Sequence, residues 1–132
     1  MNRSVFTFTM LLVLGAVATG CNPSFTAITA APPGKVASLN DEDHEIVLSR
    51  GVAVAVECTY EGPCGNMSAV STDAAIAEVH TAYLDSLEEY AGREGRQNRS
   101  AFVVSGRAPG SAAITVRSSD GDVVFAVTVL DD

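Results

Sequence analysis

The chain has 132 residues, of which 47% are hydrophobic and 18% charged, with sixteen acidic residues against eight Lys and Arg. The net charge of −8 argues against binding to nucleic acid or attraction to anionic lipid, because both carry negative charge. Trp is absent and aromatic residues make up 6% of the chain, which lowers the expectation of a carbohydrate site built on stacked rings. The length suits one small domain.

The first twenty residues have the three parts of a bacterial export signal. Arg3 supplies positive charge, Val5 to Ala18 form an apolar stretch of fourteen residues, and small residues follow up to Gly20. The stretch is shorter than the roughly 20 apolar residues that a transmembrane helix needs. We therefore expect residues 1–20 to be a signal peptide that is removed during export.

The run Ala18-Thr19-Gly20-Cys21 resembles the lipobox of bacterial lipoproteins, although Leu, Val or Ile is usual in place of Ala18. In that family the cysteine is acylated and becomes the new N-terminus. The resemblance implies a lipoprotein of the cell envelope, anchored to a membrane through lipid on Cys21, with the outer membrane as the default. Two or three acyl chains anchor stably, since one chain alone binds reversibly. The alternative is an ordinary secretory signal, with Cys21 left as a free thiol.

The residues after the lipobox have the composition of a linker. They are rich in Ala, Thr and Pro, and no charged residue occurs before Lys35. The Pro32-Pro33 pair favours extended chain, at about 3 Å per residue. We therefore predict a lipid-anchored tether over residues 21–35 and a single domain over residues 36–132.

Cys58 and Cys64 remain as an even pair once Cys21 is assigned to lipid. An exported protein matures in an oxidising compartment, where a disulfide is the default state of such a pair. The spacing is not that of a redox motif, and no second Cys or His pair stands at zinc-finger spacing. We predict a structural disulfide that closes a short loop and contributes roughly 2 to 2.5 kcal/mol.

Alternating residue patterns predict strands in the rest of the chain. Val52, Val54 and Val56 alternate with Ala, and residues 45–48 and 76–84 also read as strands. Strands of this kind, separated by turn residues, are typical of a β-sandwich.

The Asp120-Gly121 turn signal predicts a C-terminal β-hairpin. If Ser119 pairs with Asp122, then Val116 lies opposite Phe125, and one face of the ribbon is apolar. The other face is then largely polar, as a sheet with one solvated side requires.

Residues 70–79 and 104–116 resemble the group 2 family of bacterial immunoglobulin-like domains. The most specific part is the Gly-x-x-Pro-Gly-x-Ala-x-Ile-x-Val run from Gly106 to Val116, in which Pro109-Gly110 turn the chain into a core strand. The resemblance implies an all-β fold, an immunoglobulin-like antiparallel β-sandwich of about seven strands. Domains of this family occur in bacterial surface proteins, adhesins and extracellular enzymes, as spacers or as binding modules.

A long polar segment at residues 85–100 interrupts the strand pattern. It is longer than ordinary connections and mixes charged residues with Gly. Such a segment is more often a solvated excursion without a partner, because mixed charge and Gly are also typical of disorder; the functional interpretation is a protruding hairpin that binds a protein of the envelope or cell surface. The candidate binding residues are Tyr83, Glu88, Glu89, Tyr90, Arg93, Arg96 and Arg99.

The two histidines are the candidates for chemistry. His44 lies in an acidic run, and His80 shares strand parity with Glu78, so each is placed beside carboxylates that suit a divalent metal. A charged loop before a strand is the commoner explanation for the first, and the second pair needs ligands from another strand. No G-x-S-x-G elbow or similar motif places either histidine beside a nucleophile.

We therefore expect no enzyme, no cofactor and no metal site. The predicted function is that of a cell-envelope lipoprotein whose domain is a non-catalytic binding or structural surface module. The alternative is a metal-binding or cryptic hydrolytic envelope protein that uses His44 and His80. A tethered inhibitor or chaperone-like subunit is a third possibility.

Overall fold

The computed structural model describes residues 22–84 and 99–132, which form two β-sheets packed face to face. The predicted all-β sandwich is confirmed, and the described residues hold nine strands where about seven were expected. The strands are Ser24–Ala27 (β1), Ala37–Asn40 (β2), Glu45–Ser49 (β3), Ala53–Thr59 (β4), Ser68–Ser71 (β5), Ala77–Leu84 (β6), Arg99–Gly106 (β7), Gly110–Ser118 (β8) and Gly121–Leu130 (β9).

The two sheets differ in size and in strand direction. One has four antiparallel strands in the order β1-β4-β7-β6, and the other has five in the order β2-β3-β9-β8-β5. In the five-stranded sheet β3 and β9 run parallel, with Glu45 opposite Ala126, so a purely antiparallel sandwich was a wrong prediction at this pair. The two strands can run parallel because they are far apart in the chain. The chain leaves β3 for β4 of the opposite sheet, and a parallel pair requires a long crossover connection of this kind.

The sandwich begins at Ser24, inside the segment predicted to be a tether. Ser24–Ala27 (β1) pairs with β4 along its whole length. Phe25 is 4% exposed and packs edge-on against Phe102 and Phe125, with ring centroids 6.1 and 4.9 Å away. The prediction of a tether over residues 21–35 is therefore wrong over β1, because the chain inserts a large aromatic side chain into the core there.

The core is built from the inward-facing side chains of both sheets. The predicted alternation on β4 is confirmed, since Val54 and Val56 are fully buried while Ala53 is exposed. Burial of each large apolar side chain contributes roughly 1.5 to 3 kcal/mol, so these residues fix which face of each strand points inward. The largest fully buried apolar side chains are Phe102, Phe125, Ile46, Leu48, Ile114, Val54, Val56, Val104, Val116 and Val127.

The predicted C-terminal hairpin forms, but its register is two residues away from the predicted one. Ser118 lies opposite Gly121, and Val116 lies opposite Val123. The Ser118 hydroxyl closes the turn: it accepts a hydrogen bond from the Asp120 N–H at 3.2 Å and donates one to the Gly121 carbonyl at 2.9 Å. Because the shift is an even number of residues, every side chain keeps its predicted face.

Cys58 and Cys64 form the predicted disulfide, with Cα atoms 5.5 Å apart. Both cysteines are buried, and the Ser100 hydroxyl donates a 2.6 Å hydrogen bond to the Cys64 carbonyl. The disulfide thus fastens the chain where it leaves β4 and crosses to the five-stranded sheet.

One end of the sandwich carries the start of the folded chain. Pro23 is buried beside the β8–β9 turn, where a Cβ added to Gly121 would lie 3.3 Å from the Pro23 Cδ atom. Ser24 lies opposite Thr59, next to the disulfide loop. We call this the N-terminal end of the sandwich.

We call the opposite end of the sandwich the distal end; there Gly106 allows the two sheets to approach each other closely. Gly106 donates to the Val52 carbonyl at 2.9 Å and accepts from the Gly51 N–H at 2.8 Å. A Cβ at Gly106 would lie 2.9 Å from the Ser49 carbonyl oxygen of the other sheet. The strands therefore run from the N-terminal end to the distal end along the length of the sandwich.

Candidate functional site

Two large apolar side chains are exposed on the outer face of the five-stranded sheet. Val70 on β5 is 67% exposed and Val124 on β9 is 56% exposed. Thr115 on β8 lies between them and is in register with both. These three residues, which we call the valine row, present a strip of β-branched side chains to solvent across three neighbouring strands.

A shallow depression is formed in part by the valine row. Its volume is about 220 Å³, and it is lined by Ser68, Val70, Thr115 and Arg117. Arg117 lies opposite Asp122, with Nε 3.9 Å from the carboxylate oxygen and both side chains more than half exposed. Exposed pairs of this kind contribute little to stability, so the guanidinium can bond to a carboxylate of a partner at small cost.

The sheet face beyond the valine row is uncharged along β8 and β9. Ala113 lies opposite Ala126, and Ser111 lies opposite Thr128, all on the outer side. On these two strands the outward-facing charges are confined to the Arg117 and Asp122 positions. In a chain with a net charge of −8, a face of small uncharged residues is suited to contact with another protein surface.

An ion-pair cluster of Glu78, His80 and Arg107 lies toward the distal end. His80 Nε2 is 2.7 Å from Glu78 Oε1, and Arg107 donates to Glu78 Oε2 from Nε at 2.6 Å and also from a terminal nitrogen. Glu78 and His80 share a face of β6, as their parity predicts, whereas Arg107 comes from the connection between β7 and β8. The cluster ties the edge strand β6 to that connection.

The hydrogen bonds from His80 and Arg107 lower the pKa of Glu78, against a smaller raising effect of desolvation. The carboxylate is therefore held in its ionised form. Both carboxylate oxygens of Glu78 are hydrogen-bonded, so Glu78 forms a surface ion pair and is not placed to act as a general acid.

The acidic turn between β2 and β3 is organised by side-chain hydrogen bonds to the backbone. Asn40 Oδ1 accepts from the N–H groups of Glu42 and Asp43 at 3.1 and 3.2 Å. His44 has a φ of 54° and packs its ring edge-on against Phe125, with centroids 5.5 Å apart. The histidine is thus used as a packing residue at the margin of the core.

The structure does not bring the two histidines together. His44 precedes β3 of the five-stranded sheet, and His80 lies on β6 of the four-stranded sheet. Within residues 22–84 and 99–132, no group of three or more His, Cys, Asp or Glu side chains is arranged to hold a metal ion. The described residues therefore supply no set of ligands for the metal-binding alternative.

Two of the predicted partner-binding residues, Tyr83 and Arg99, lie on the paired strands β6 and β7. The two strands pair as far as Leu84 opposite Arg99, which places Tyr83 and Arg99 on the arms of the hairpin at the N-terminal end. The other candidates lie outside the described residues, and their role stays a prediction: Glu88, Glu89, Tyr90, Arg93 and Arg96.

The proposed lipidation site, Cys21, also lies outside the described residues. In the part of the chain that is described, no helix is long and apolar enough to cross a bilayer. Attachment to a membrane through Cys21 therefore stays a prediction from the sequence.

The valine row was not among the residues predicted to bind a partner. Val124 already stood on the polar side of the predicted hairpin, but a single β-branched residue on a solvated face is common in strands. Val124 forms part of an apolar strip only together with Val70, and the two valines lie near each other only because β5 pairs with β8. That pairing has no local signal in the sequence.

The sequence matches no protein-family model and no curated protein. Among solved structures, it is similar to domains 4 and 5 of the S-layer protein SbsC, at 18% identity and a TM-score of 0.45 over 83% of this chain and 54% of that one. Domains 5–6 of the same protein give 22% identity and a TM-score of 0.46, over 83% of this chain and 45% of that one. The chain thus spans about half the length of these two structures.

Proposed function

We propose that the protein is an exported envelope lipoprotein that binds another protein through the outer face of its five-stranded sheet and catalyses no reaction. The observation that carries the binding role is the valine row, with Val70 and Val124 more than half exposed on either side of Thr115. Contact with a partner would bury this apolar strip, at a gain on the order of 1 to 2 kcal/mol for each valine.

The chemistry of the partner follows from the residues around the valine row. A small-residue or aliphatic surface fits the apolar strip, and a carboxylate of the partner fits Arg117 at the edge of the strip. A broad area of like negative charge on the partner would be repelled by this acidic chain. The preferred partner is thus an uncharged, apolar protein surface with a carboxylate at its edge.

Four features support the location in the bacterial envelope. Residues 1–20 have the pattern of an export signal, and the run that ends at Cys21 resembles a lipobox. The resemblance of residues 70–79 and 104–116 to bacterial immunoglobulin-like domains fits a surface module. The Cys58–Cys64 disulfide agrees with maturation in an oxidising compartment.

Site-specific photo-crosslinking in the source bacterium tests the binding role. A photoreactive residue replaces Thr115 in the full chain, and a matched one replaces Ser105, which points outward on the opposite sheet. We expect one discrete adduct from position 115 that is absent from position 105. The double substitution Val70→Ser and Val124→Ser should abolish that adduct, whereas Val36→Ser, at an exposed valine away from the row, should not.

The same adducts from positions 115 and 105 would overturn the valine row as the binding face. An adduct from position 115 that survives Val70→Ser and Val124→Ser would do the same. The hairpin between β6 and β7 is the other proposed contact, and a photoreactive residue at Tyr90 examines it in parallel.

Fractionation of cells tests the anchor. The wild-type chain should sediment with membranes and carry an acyl mass on its N-terminal peptide. Cys21→Ser should instead appear in the soluble envelope fraction, because the acyl chains are lost. A wild-type protein without an acyl mass would contradict the proposed lipidation.

A further inference from the structure

Only Asn22 separates the proposed acylation site at Cys21 from the folded domain. Pro23 is buried, and β1 begins at Ser24. The Cα atoms of Cys21 and Pro23 can be at most about 7 Å apart, since an extended chain spans about 3.3 to 3.6 Å per residue. A tether over residues 21–35 would have reached tens of ångströms, at about 3 Å per residue.

The first strand cannot serve as a spare length of tether. Phe25 is 4% exposed in the core, and all four residues of β1 pair with β4. Extracting Phe25 alone would cost roughly 1.5 to 3 kcal/mol of apolar burial, before the loss of the strand hydrogen bonds. The anchor therefore stays short unless part of the sandwich unfolds.

We infer that the sandwich stands with its N-terminal end directly on the membrane surface, so that lipid headgroups are the partner of this end. The inference rests on the proposed acylation of Cys21. The described part of its contact surface comprises the β8–β9 turn at Ser118–Gly121 and the disulfide loop at residues 59–64, which both lie beside the start of β1; the connection from Leu84 to Arg99 leaves from the same end. The strands then lead away from the bilayer toward the distal end.

The charges at the N-terminal end indicate that the acyl anchor, and not electrostatic attraction, holds this end against the bilayer. Among the described residues, Glu61, Asp120 and Asp122 lie at or beside these loops, together with Arg117, and Arg99 begins β7 at the same end. A surface with more carboxylates than cations is not drawn to anionic lipid, which attracts Lys and Arg. The contact should therefore form on neutral bilayers and gain nothing from anionic lipid.

The orientation defines where a partner of the valine row must be. Thr115 precedes Ser118, the last residue of β8, by three positions, which is roughly 10 Å along a strand. The valine row thus lies close to the bilayer, on a sheet face that stands upright from it. Its partner is accordingly a protein at the surface of the same membrane.

Nitroxide labels read the distance of each end from the lipid. The full chain is purified with its native acyl group and placed in phosphatidylcholine vesicles that carry a nickel-chelating lipid. Labels are attached at Ser119→Cys for the N-terminal end and at Ala74→Cys, in the exposed β5–β6 connection, for the distal end. Nickel at the headgroups should relax the label at position 119 several-fold more strongly than the label at position 74.

A linker variant provides the control. Twelve Gly and Ser residues inserted between Asn22 and Pro23 keep the acyl anchor and the fold but release the domain from the surface. The difference between positions 119 and 74 should then disappear. Equal relaxation of the two labels in the acylated chain without the linker would overturn the orientation and leave the proposed anchor intact. A purified chain without acyl mass would overturn both the anchor and the orientation.

Discussion

Gly121 lies directly against Pro23, so closely that a Cβ added to Gly121 would come within 3.3 Å of the Pro23 Cδ atom. The contact joins the last hairpin of the chain to the residue that precedes its first strand. Gly121 also has a φ of 138°, a conformation that side chains other than glycine rarely adopt. The N-terminal end of the sandwich therefore depends on glycine for two separate reasons.

Gly121→Ala should destabilise the protein by more than backbone strain alone. Gly62 has almost the same φ, 141°, but nothing lies within 4 Å of its added Cβ, so Gly62→Ala measures the strain alone, at about 1 to 3 kcal/mol. Gly121→Ala adds the clash with Pro23, and Pro23→Ala in that background should restore part of the loss. Equal losses for Gly121→Ala and Gly62→Ala in urea denaturation would show that Pro23 does not press on the turn.

Gly106→Ala should destabilise the sandwich at its distal end. Its Cβ would lie 2.9 Å from the Ser49 carbonyl oxygen and 3.1 Å from Val129 Cγ1, and the backbone at both sites is held in strands. Such overpacking costs about 1 to 3 kcal/mol. Gly65→Ala is the control, because its nearest contact, 3.4 Å from the Ser119 hydroxyl oxygen, is an ordinary one. Denaturation midpoints that fall equally for both variants would contradict the close approach at Gly106.

Replacing both cysteines of the disulfide, Cys58→Ala with Cys64→Ala, should lower the free energy of unfolding by about 2 to 4 kcal/mol. The closed loop accounts for roughly 2 to 2.5 kcal/mol of this through the entropy of the unfolded chain, and lost burial adds the rest. Reduction of the wild-type protein should reproduce most of the loss. An unchanged denaturation midpoint in the double variant would show that Ser100 and the strand pairing hold this loop without the bond.

Local alternation predicted those parts of the fold in which one strand face is apolar. The valines of β4 and the apolar face of β9 have this property, and the structure buries them. The slip of the β8–β9 register has a local cause in the Ser118 hydroxyl, which competes with the Asp120-Gly121 turn signal. β1 was missed because Phe25 is its one buried side chain, in a segment of Ala, Thr and Pro.

Long-range pairing explains what the sequence did not predict about the candidate site. The parallel pair of β3 and β9 and the contact of β5 with β8 join residues that are far apart in the chain. The valine row exists only through the second of these pairings. The Glu78–His80 pair was visible as strand parity, but its third member, Arg107, lies in a connection whose position depends on the whole sheet.

Glu78 should make the stability depend on pH in the acidic range. Its pKa in the folded protein is below the ordinary value of 4.5, so its contribution is present above pH 4.5 and is lost as the pH falls through the lower folded pKa. Glu78→Gln should therefore destabilise the protein more at pH 7 than at pH 3. Glu42→Gln, at an exposed carboxylate outside the cluster, controls for the loss of one surface charge. A destabilisation by Glu78→Gln that is the same at pH 3 and pH 7 would contradict the ion-pair cluster.

Two valines on β9 test the division between the core and the valine row. Val124 is 56% exposed and Val127 is 1% exposed, and their positions in the strand have opposite parity. Val127→Ala should cost about 2 to 3 kcal/mol of unfolding free energy, because it opens a cavity in the core. Val124→Ala should cost less than about 0.5 kcal/mol, as for most surface substitutions, while weakening the crosslink from position 115. A large loss of stability from Val124→Ala would mean that Val124 is covered within the chain, and the outer sheet face would then not be available to a partner.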